Sequence, residues 1–151
     1  MDGSVKDLSA YRLEKAKEDL KTAKDNLADK HFRASVNRAY YAIFHALRAV
    51  TALDQFDSGK HSGIIAYINL HYVKTGIFDR DFSKAVDQSF RLREKADYDD
   101  FAVITEEDAI AQIAKSESVV SKVEIYLSTV RKRRPEGKAP CSYPEPDKAH
   151  A

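Results

Sequence analysis

The sequence predicts an all-α protein, an antiparallel up-and-down bundle of about five helices. Three observations predict it. All four prolines lie at or after Pro135, so no proline interrupts a helix before that point. Up to Val130, apolar residues recur at alternating steps of three and four, the period of a helix with one buried face. Only the segment FAVIT (101–105) has a β-like composition, and it is too short to build a sheet.

The first helix carries its stripe on Leu13, Ala16, Leu20, Ala23 and Leu27. Its opposite face is dense in Lys, Glu and Asp and reads as a solvated surface with pairs four residues apart. A second helix follows on Phe32, Val36, Ala39, Tyr40, Ile43, Leu47 and Val50. It ends in DQFDSGK (54–60), where Asp57, Ser58 and Gly59 read as a loop. Ile64, Ile65, Ile68 and Tyr72 mark a shorter third helix, closed by Lys74-Thr75-Gly76 with the glycine as a left-handed cap. Phe82, Ala85, Val86 and Phe90 mark a fourth, running into the charged stretch RLREKADYDD (91–100). Thr105 followed by Asp108 forms a capping box that opens the last helix. The stripe of that helix is Ala109, Ile113, Val120, Val123, Leu127 and Val130.

The helical domain is therefore expected over residues 1–130 and a disordered, basic and proline-rich tail over 131–151. The tail opens with RKRR (131–134), which reads either as a contact for nucleic-acid backbone or as a solvated helix end.

At 151 residues the chain is one domain's worth and long enough to bury a core. Its net charge of +1 means that any nucleic-acid affinity must come from a local patch. A single cysteine, Cys141, excludes an internal disulfide and suits a reducing, intracellular setting. No apolar run approaches the roughly 20 residues of a membrane span, and the N-terminal MDGSVKDLSA lacks a signal peptide's apolar region. The expected location is cytoplasmic, with no membrane partner. His31, His61, His71 and His150 lack metal-ligand spacing, and there is no HExxH, P-loop or GxGxxG, so neither metal nor cofactor is expected.

The second helix holds the functional question. On a wheel of about 100° per residue with Val36 at zero, the apolar stripe spans roughly −60° to +40°. Arg38 and His45 fall near 200° and 180°, Tyr41 near 140° and Arg48 near 120°. These four lie away from the core stripe, interleaved with Ala34, Ala42 and Ala49, small residues that would admit another helix or subunit. From pattern alone the back of this helix is either solvated, with Tyr41 covering it, or facing a partner.

The block NRAYYAIFHALRAV (37–50) resembles the signature helix of HEPN domains, in particular the stand-alone prokaryotic proteins of that family. The family motif is an arginine, four to six residues, then a histidine; Arg38 and His45 match it with six between. REKADYDDF (93–101) is similar to a second family segment, and the HSG at 61–63 and the terminal helix also fit. The resemblance covers about residues 8–130.

It implies a dimer in which the motif helices of two subunits face a shared cleft. It also implies a metal-independent endoribonuclease, often the toxin half of a pair with a minimal nucleotidyltransferase antitoxin. The residue types suit that chemistry. Cleaving RNA without metal requires a proton to leave a 2′-hydroxyl, charge to be stabilised on the phosphate, and the leaving oxygen to be protonated. His45 titrates near neutrality and can act as base or acid, and Arg38 offers a permanently charged fork for phosphate. Dependence on the 2′-hydroxyl would confine cleavage to RNA.

Two positions depart from the active pattern. Ala39 stands where many ribonuclease members carry a polar residue after the arginine, with Asn37 before it instead. Leu47 stands where one subgroup carries a tyrosine that its partner enzyme modifies. The alternative reading is a non-catalytic HEPN dimer that binds nucleotide or docks a nucleotidyltransferase. Further substrate-binding candidates are Asn37, Tyr41, Arg48, Arg93, Asp97 and Tyr98. Tyr41 offers a ring to stack on a base, and Arg48 either contacts phosphate or caps the exposed face. Asp97 would orient a histidine or pair an arginine. Against this, Arg93, Asp97 and Tyr98 also read, and rather more readily, as a charged helix end with Tyr98 sealing the bundle.

Overall fold

A computed structural model describes residues 2–133 and contains five α-helices with no strand among them. These are α1 (Asp2–Ala28), α2 (Phe32–Leu53), α3 (His61–Ile68), α4 (Arg80–Tyr98) and α5 (Glu106–Arg133). A single π-helical turn, Asn69–Val73, extends α3. The segment expected to be a disordered tail lies, apart from the last turn of α5, outside the described residues.

Helix α2 is the central element, and its stripe is the core. Val36, Ala39, Tyr40, Ile43 and Val50 are fully buried, and Leu47 nearly so. Around them pack Leu13 and Ala16 of α1, Ile64 and Ile68 of α3, Phe82 and Val86 of α4, and Val119, Val123 and Leu127 of α5. Each such large side chain contributes roughly 1.5–3 kcal/mol of burial free energy. The sequence stripe of α5 missed Gln112 and Ser116, which are also fully buried. Gln112 Nε2 donates to the Ser89 carbonyl of α4 at 3.0 Å, tying α5 to α4 where apolar contact alone would let them slide.

The helix ends follow local chemistry. The Thr105 hydroxyl accepts from the Asp108 N–H and the Asp108 carboxylate from the Thr105 N–H, both at 3.0 Å, which is the expected reciprocal box. Gly76 ends the π turn with φ +88°, as its left-handed role requires. The reversal between α1 and α2 was not foreseen. There the His31 N–H bonds the Asn26 carbonyl at 2.8 Å and the Lys30 N–H the Leu27 carbonyl at 3.0 Å. That pattern is a Schellman closure, and it holds Lys30, a non-glycine, at φ +64°.

Two buried hydroxyls then fix how α1 lies against α2. Ser9 Oγ donates to the Ala49 carbonyl at 2.7 Å and Ser35 Oγ to the Ala23 carbonyl at 2.8 Å. Fully buried Ala16, Ala23, Ala42, Ala46 and Ala49 let the two backbones approach closely enough for these bonds. Helix α1 is thus the element that the alanine-lined back of α2 admits. The Lys-rich face of α1 is only partly solvated: Lys17 and Lys24 pair across to Glu124 and Glu117 of α5, each at 2.6 Å. No described helix is long and apolar enough to cross a membrane.

Candidate functional site

With α1 over Ala42 and Ala49, and α3 and α4 over Tyr40, a polar strip of α2 is left between two walls. Arg38 and His45 lie on its α1 side. His45 is half-buried there, with a side chain 16% exposed, and so does not stand clear of the bundle as the wheel implied. The missing neighbour was Asp19 of α1. Its carboxylate lies 3.2 Å from Arg38 Nη1 and 3.5 Å from His45 Nε2, so one acidic group spans both motif residues. The contact to Arg38 is a hydrogen bond; the one to His45 has ion-pair distance only.

The position of Asp19 in the sequence carries a faint signal. On the α1 wheel it lies about 40° beyond Ala23, at the edge of the buried stripe and not on the solvated face.

From Arg38 the network continues towards α4. Asn37 Oδ1 accepts from Arg38 Nη2 at 3.1 Å, and Asn37 Nδ2 donates to Asp97 Oδ2 at 3.3 Å. Asp97 lies 3.0 Å from Arg93 Nε, and Arg93 Nη2 donates to the Tyr41 hydroxyl at 3.0 Å. Arg93 is buried, with its guanidinium 5.1 Å from the Tyr40 ring centre and 5.4 Å from that of Tyr41. Arg38 covers the Tyr41 ring from the α1 side at 4.9 Å. The structure thus brings together Asn37, Arg38, Tyr41, His45, Arg93 and Asp97. Asp97 pairs an arginine; the carboxylate beside the histidine is Asp19.

Arg48 lies one turn further on, pairing with Asp57 at 3.1 Å and standing 5.9 Å from the Phe44 ring. Tyr98 does not join. It is 73% exposed, so it neither completes the cleft nor seals the bundle. Tyr40 and Ala39 are core residues, as their place on the stripe predicted.

A second imidazole was missed as a site residue. His61, the first residue of α3, stacks on Phe44 with ring centres 3.9 Å apart and meets Tyr41 edge-on at 5.7 Å. Its Nδ1 is 2.9 Å from the hydroxyl of buried Tyr40. Sequence spacing gave no hint of this, because the loop after α2 decides where α3 begins.

Electrostatically the strip is a set of compensated cations: Arg38 with Asp19, Arg48 with Asp57, Arg93 with Asp97. Burial pushes the His45 imidazole below its ordinary value; Asp19 opposes that shift, while Lys15, Arg48 and Arg38 reinforce it. His61 is likewise lowered, by burial first and then by Arg93 and Arg48. Both rings are therefore largely neutral at pH 7, as a proton acceptor or a neutral donor must be. A shallow groove of Thr22, Asn26, Arg33, Ala34, Asn37, Arg38 and Asp97 leads from this strip towards the α4–α5 connection. Among the described residues no group of three or more His, Cys, Asp or Glu side chains converges as a metal site would.

A bundle of this topology, with an Arg–x6–His pair on its second helix held by an acidic residue of the first, defines a helical domain with one built polar face. The chain belongs to the HEPN domain family, whose model matches residues 9–126. It is 33% identical over 120 residues to "Putative toxin MJ0605" of Methanocaldococcus jannaschii, covering 80% of this chain and 84% of that one. A "UPF0332 protein" of Thermotoga maritima is 30% identical over 122 residues, covering 81% and 92%. "Putative toxin MJ0142" of Methanocaldococcus jannaschii is 25% identical over 115 residues, covering 76% and 78%.

Proposed function

We propose that this chain is a toxin-type HEPN endoribonuclease that cuts RNA without a metal, with Arg38 and His45 as its working pair. The observation that carries the reading is the convergence of Arg38 and His45 on Asp19. Two side chains two turns apart on one helix are thereby held as a unit, beside two further arginines and the partly buried ring of Tyr41.

In this reaction His45 takes the proton of a 2′-hydroxyl, and the 2′-oxygen attacks phosphorus. The P–O5′ bond breaks, leaving a 2′,3′-cyclic phosphate and a 5′-hydroxyl. If Nε2 beside Asp19 carries the hydrogen, Nδ1 is the basic nitrogen. Arg38 exchanges Asp19 for the phosphate and stabilises the charge that grows there. The leaving oxygen takes its proton from the motif histidine of a second copy in its imidazolium form, which returns to neutral imidazole and makes a homodimer part of the mechanism. The family pattern and the names of the relatives support a partner antitoxin, and a minimal nucleotidyltransferase is the partner we propose.

The test is cleavage of a mixed RNA in chelator by the wild type and by His45→Ala, with the dimer measured for both. Cleavage by the wild type alone, with cyclic-phosphate ends, is expected. If neither protein cuts at high concentration while both remain folded, the face is a docking or nucleotide surface instead.

A further inference from the structure

His61 belongs to neither the motif nor the chain of bonds around Arg38, yet its surroundings are built. The ring lies flat on Phe44 at 3.9 Å and is also stacked near Tyr40 at 5.7 Å, so its plane is fixed. Tyr40 is fully buried, and among the described residues its hydroxyl has one partner, His61 Nδ1 at 2.9 Å. Burial raises the phenol's pKa far above neutrality, so the hydroxyl keeps its hydrogen. That hydrogen needs an acceptor, because a buried donor left unpaired costs roughly 1–3 kcal/mol. Among the described residues the acceptor within reach is Nδ1. A neutral imidazole that accepts at Nδ1 carries its own hydrogen at Nε2.

The ring nitrogens point away from each other, so Nδ1 turned inward to Tyr40 leaves Nε2 turned outward. Among the described residues Nε2 has no hydrogen-bond partner. Arg48 and Arg93 lie near enough to disfavour a proton on the ring, and Tyr41 forms the adjacent wall. A neutral N–H donor held in one orientation beside cations is suited to an anionic oxygen. It binds phosphate without adding a proton of its own that the reaction could take.

We infer that Tyr40 locks His61 as the Nε2–H tautomer and that this N–H is a second RNA phosphate contact, on the α3 side of Tyr41, while Arg38 serves the α1 side. This rests on the ribonuclease reading for the identity of the ligand. His61 is a substrate-positioning residue in this scheme and transfers no proton.

A crossed pair of variants tests it. His61→Gln keeps an N–H donor of similar reach and loses the aromatic stack; His61→Phe keeps the stack and loses the donor. Binding is read with a 2′-O-methyl oligonucleotide, which cannot be cut, and cleavage with the matching RNA. The full-length protein is used, with thermal midpoints checked. Gln should bind within about threefold of wild type, and Phe should lose about tenfold or more, as for removal of one hydrogen bond to a charged group. The reverse order, or equal losses, overturns the proposal, since a purely packing histidine predicts that Phe is the better substitute. Imidazole nitrogen NMR gives a reading without any variant, and a His61 carrying its hydrogen on Nδ1 overturns the lock. A wild type that binds but does not cut overturns the cleavage reading alone, and one that binds no RNA overturns both.

Discussion

Asp19 Oδ2 and His45 Nε2 face each other at 3.5 Å across the contact of the first two helices, while the other oxygen of the same carboxylate holds Arg38. The pair that defines the family motif is therefore organised by a residue outside the motif. Asp19 has two opposed effects. It helps the imidazole hold a proton against a burial that would strip it, and it occupies the guanidinium that a phosphate would need. The same compensation recurs at Arg48 and Arg93, so under the proposed function a phosphate on this face would have to displace an aspartate from its arginine.

Asp19→Asn should separate the two effects. Without the carboxylate His45 loses the one attraction that raises its pKa, so its titration should move further down. Arg38 is freed, and non-cleavable RNA should bind about two- to fivefold tighter at low salt, the range expected for a partly exposed pair. Histidine-resolved NMR titration and a binding isotherm measure both. A His45 titration that moves up would mean that Asp19 does not act on it.

Arg93 is the anchor on the other side. It joins Asp97, the Tyr41 hydroxyl and the Tyr40 ring from a buried position. Arg93→Ala should cost about 2–3 kcal/mol in denaturant unfolding, less than a fully buried pair because Asp97 keeps some water. Arg93→Lys should recover only part of that, since an ammonium cannot serve the carboxylate, the hydroxyl and two rings together. Equal stability of the Lys variant and the wild type would show that charge alone matters there.

The parts of this structure that were legible in the sequence are the local and periodic ones. The capping box of Thr105 and Asp108 needs only three residues of separation, and Gly76 announces its own backbone conformation. The stripe of α2 named the core correctly because one helical period decides it. The placement of Asp19 depends on a register set by Ser9 and Ser35, two hydroxyls whose acceptors are carbonyls far along the chain. His61 depends on the path of the loop after α2. Tyr98 looked like a sealing aromatic by type, yet it lies in the last turn of α4 and is largely exposed. Arg38 and His45 were found through a family pattern; their geometry came only with α1.

The turn between α1 and α2 contains a correctable strain. Lys30 adopts φ +64° in the closure of α1, where a side chain costs about 1–2 kcal/mol relative to glycine. Glycine there also loses more freedom on folding, which offsets part of the gain. Lys30→Gly should therefore stabilise the protein by about 0.5–1 kcal/mol, with Asp19, Arg38 and His45 undisturbed. Calorimetry measures it, and a lowered midpoint would mean that the Lys30 side chain makes a compensating contact.

The two depressed imidazoles make stability depend on pH with a definite sign. His45 and His61 bind protons less readily in the folded chain than in the unfolded one, where an imidazole titrates near 6.5. Between the depressed folded values and about 6.5 the unfolded state holds more protons, so stability rises with pH and is lost on acidification. Asp79 acts in a different window. Its carboxylate, lowered by the Phe82 N–H and then by Lys122, contributes stability that is lost only as the pH falls into the carboxylate range. Melting between pH 7.5 and 5 should therefore show a falling midpoint that carboxylates do not explain. The double variant His45→Gln/His61→Gln should flatten that slope while leaving the further loss at lower pH in place. An unchanged slope would mean that neither imidazole titrates differently on folding, and that burial does not depress either ring.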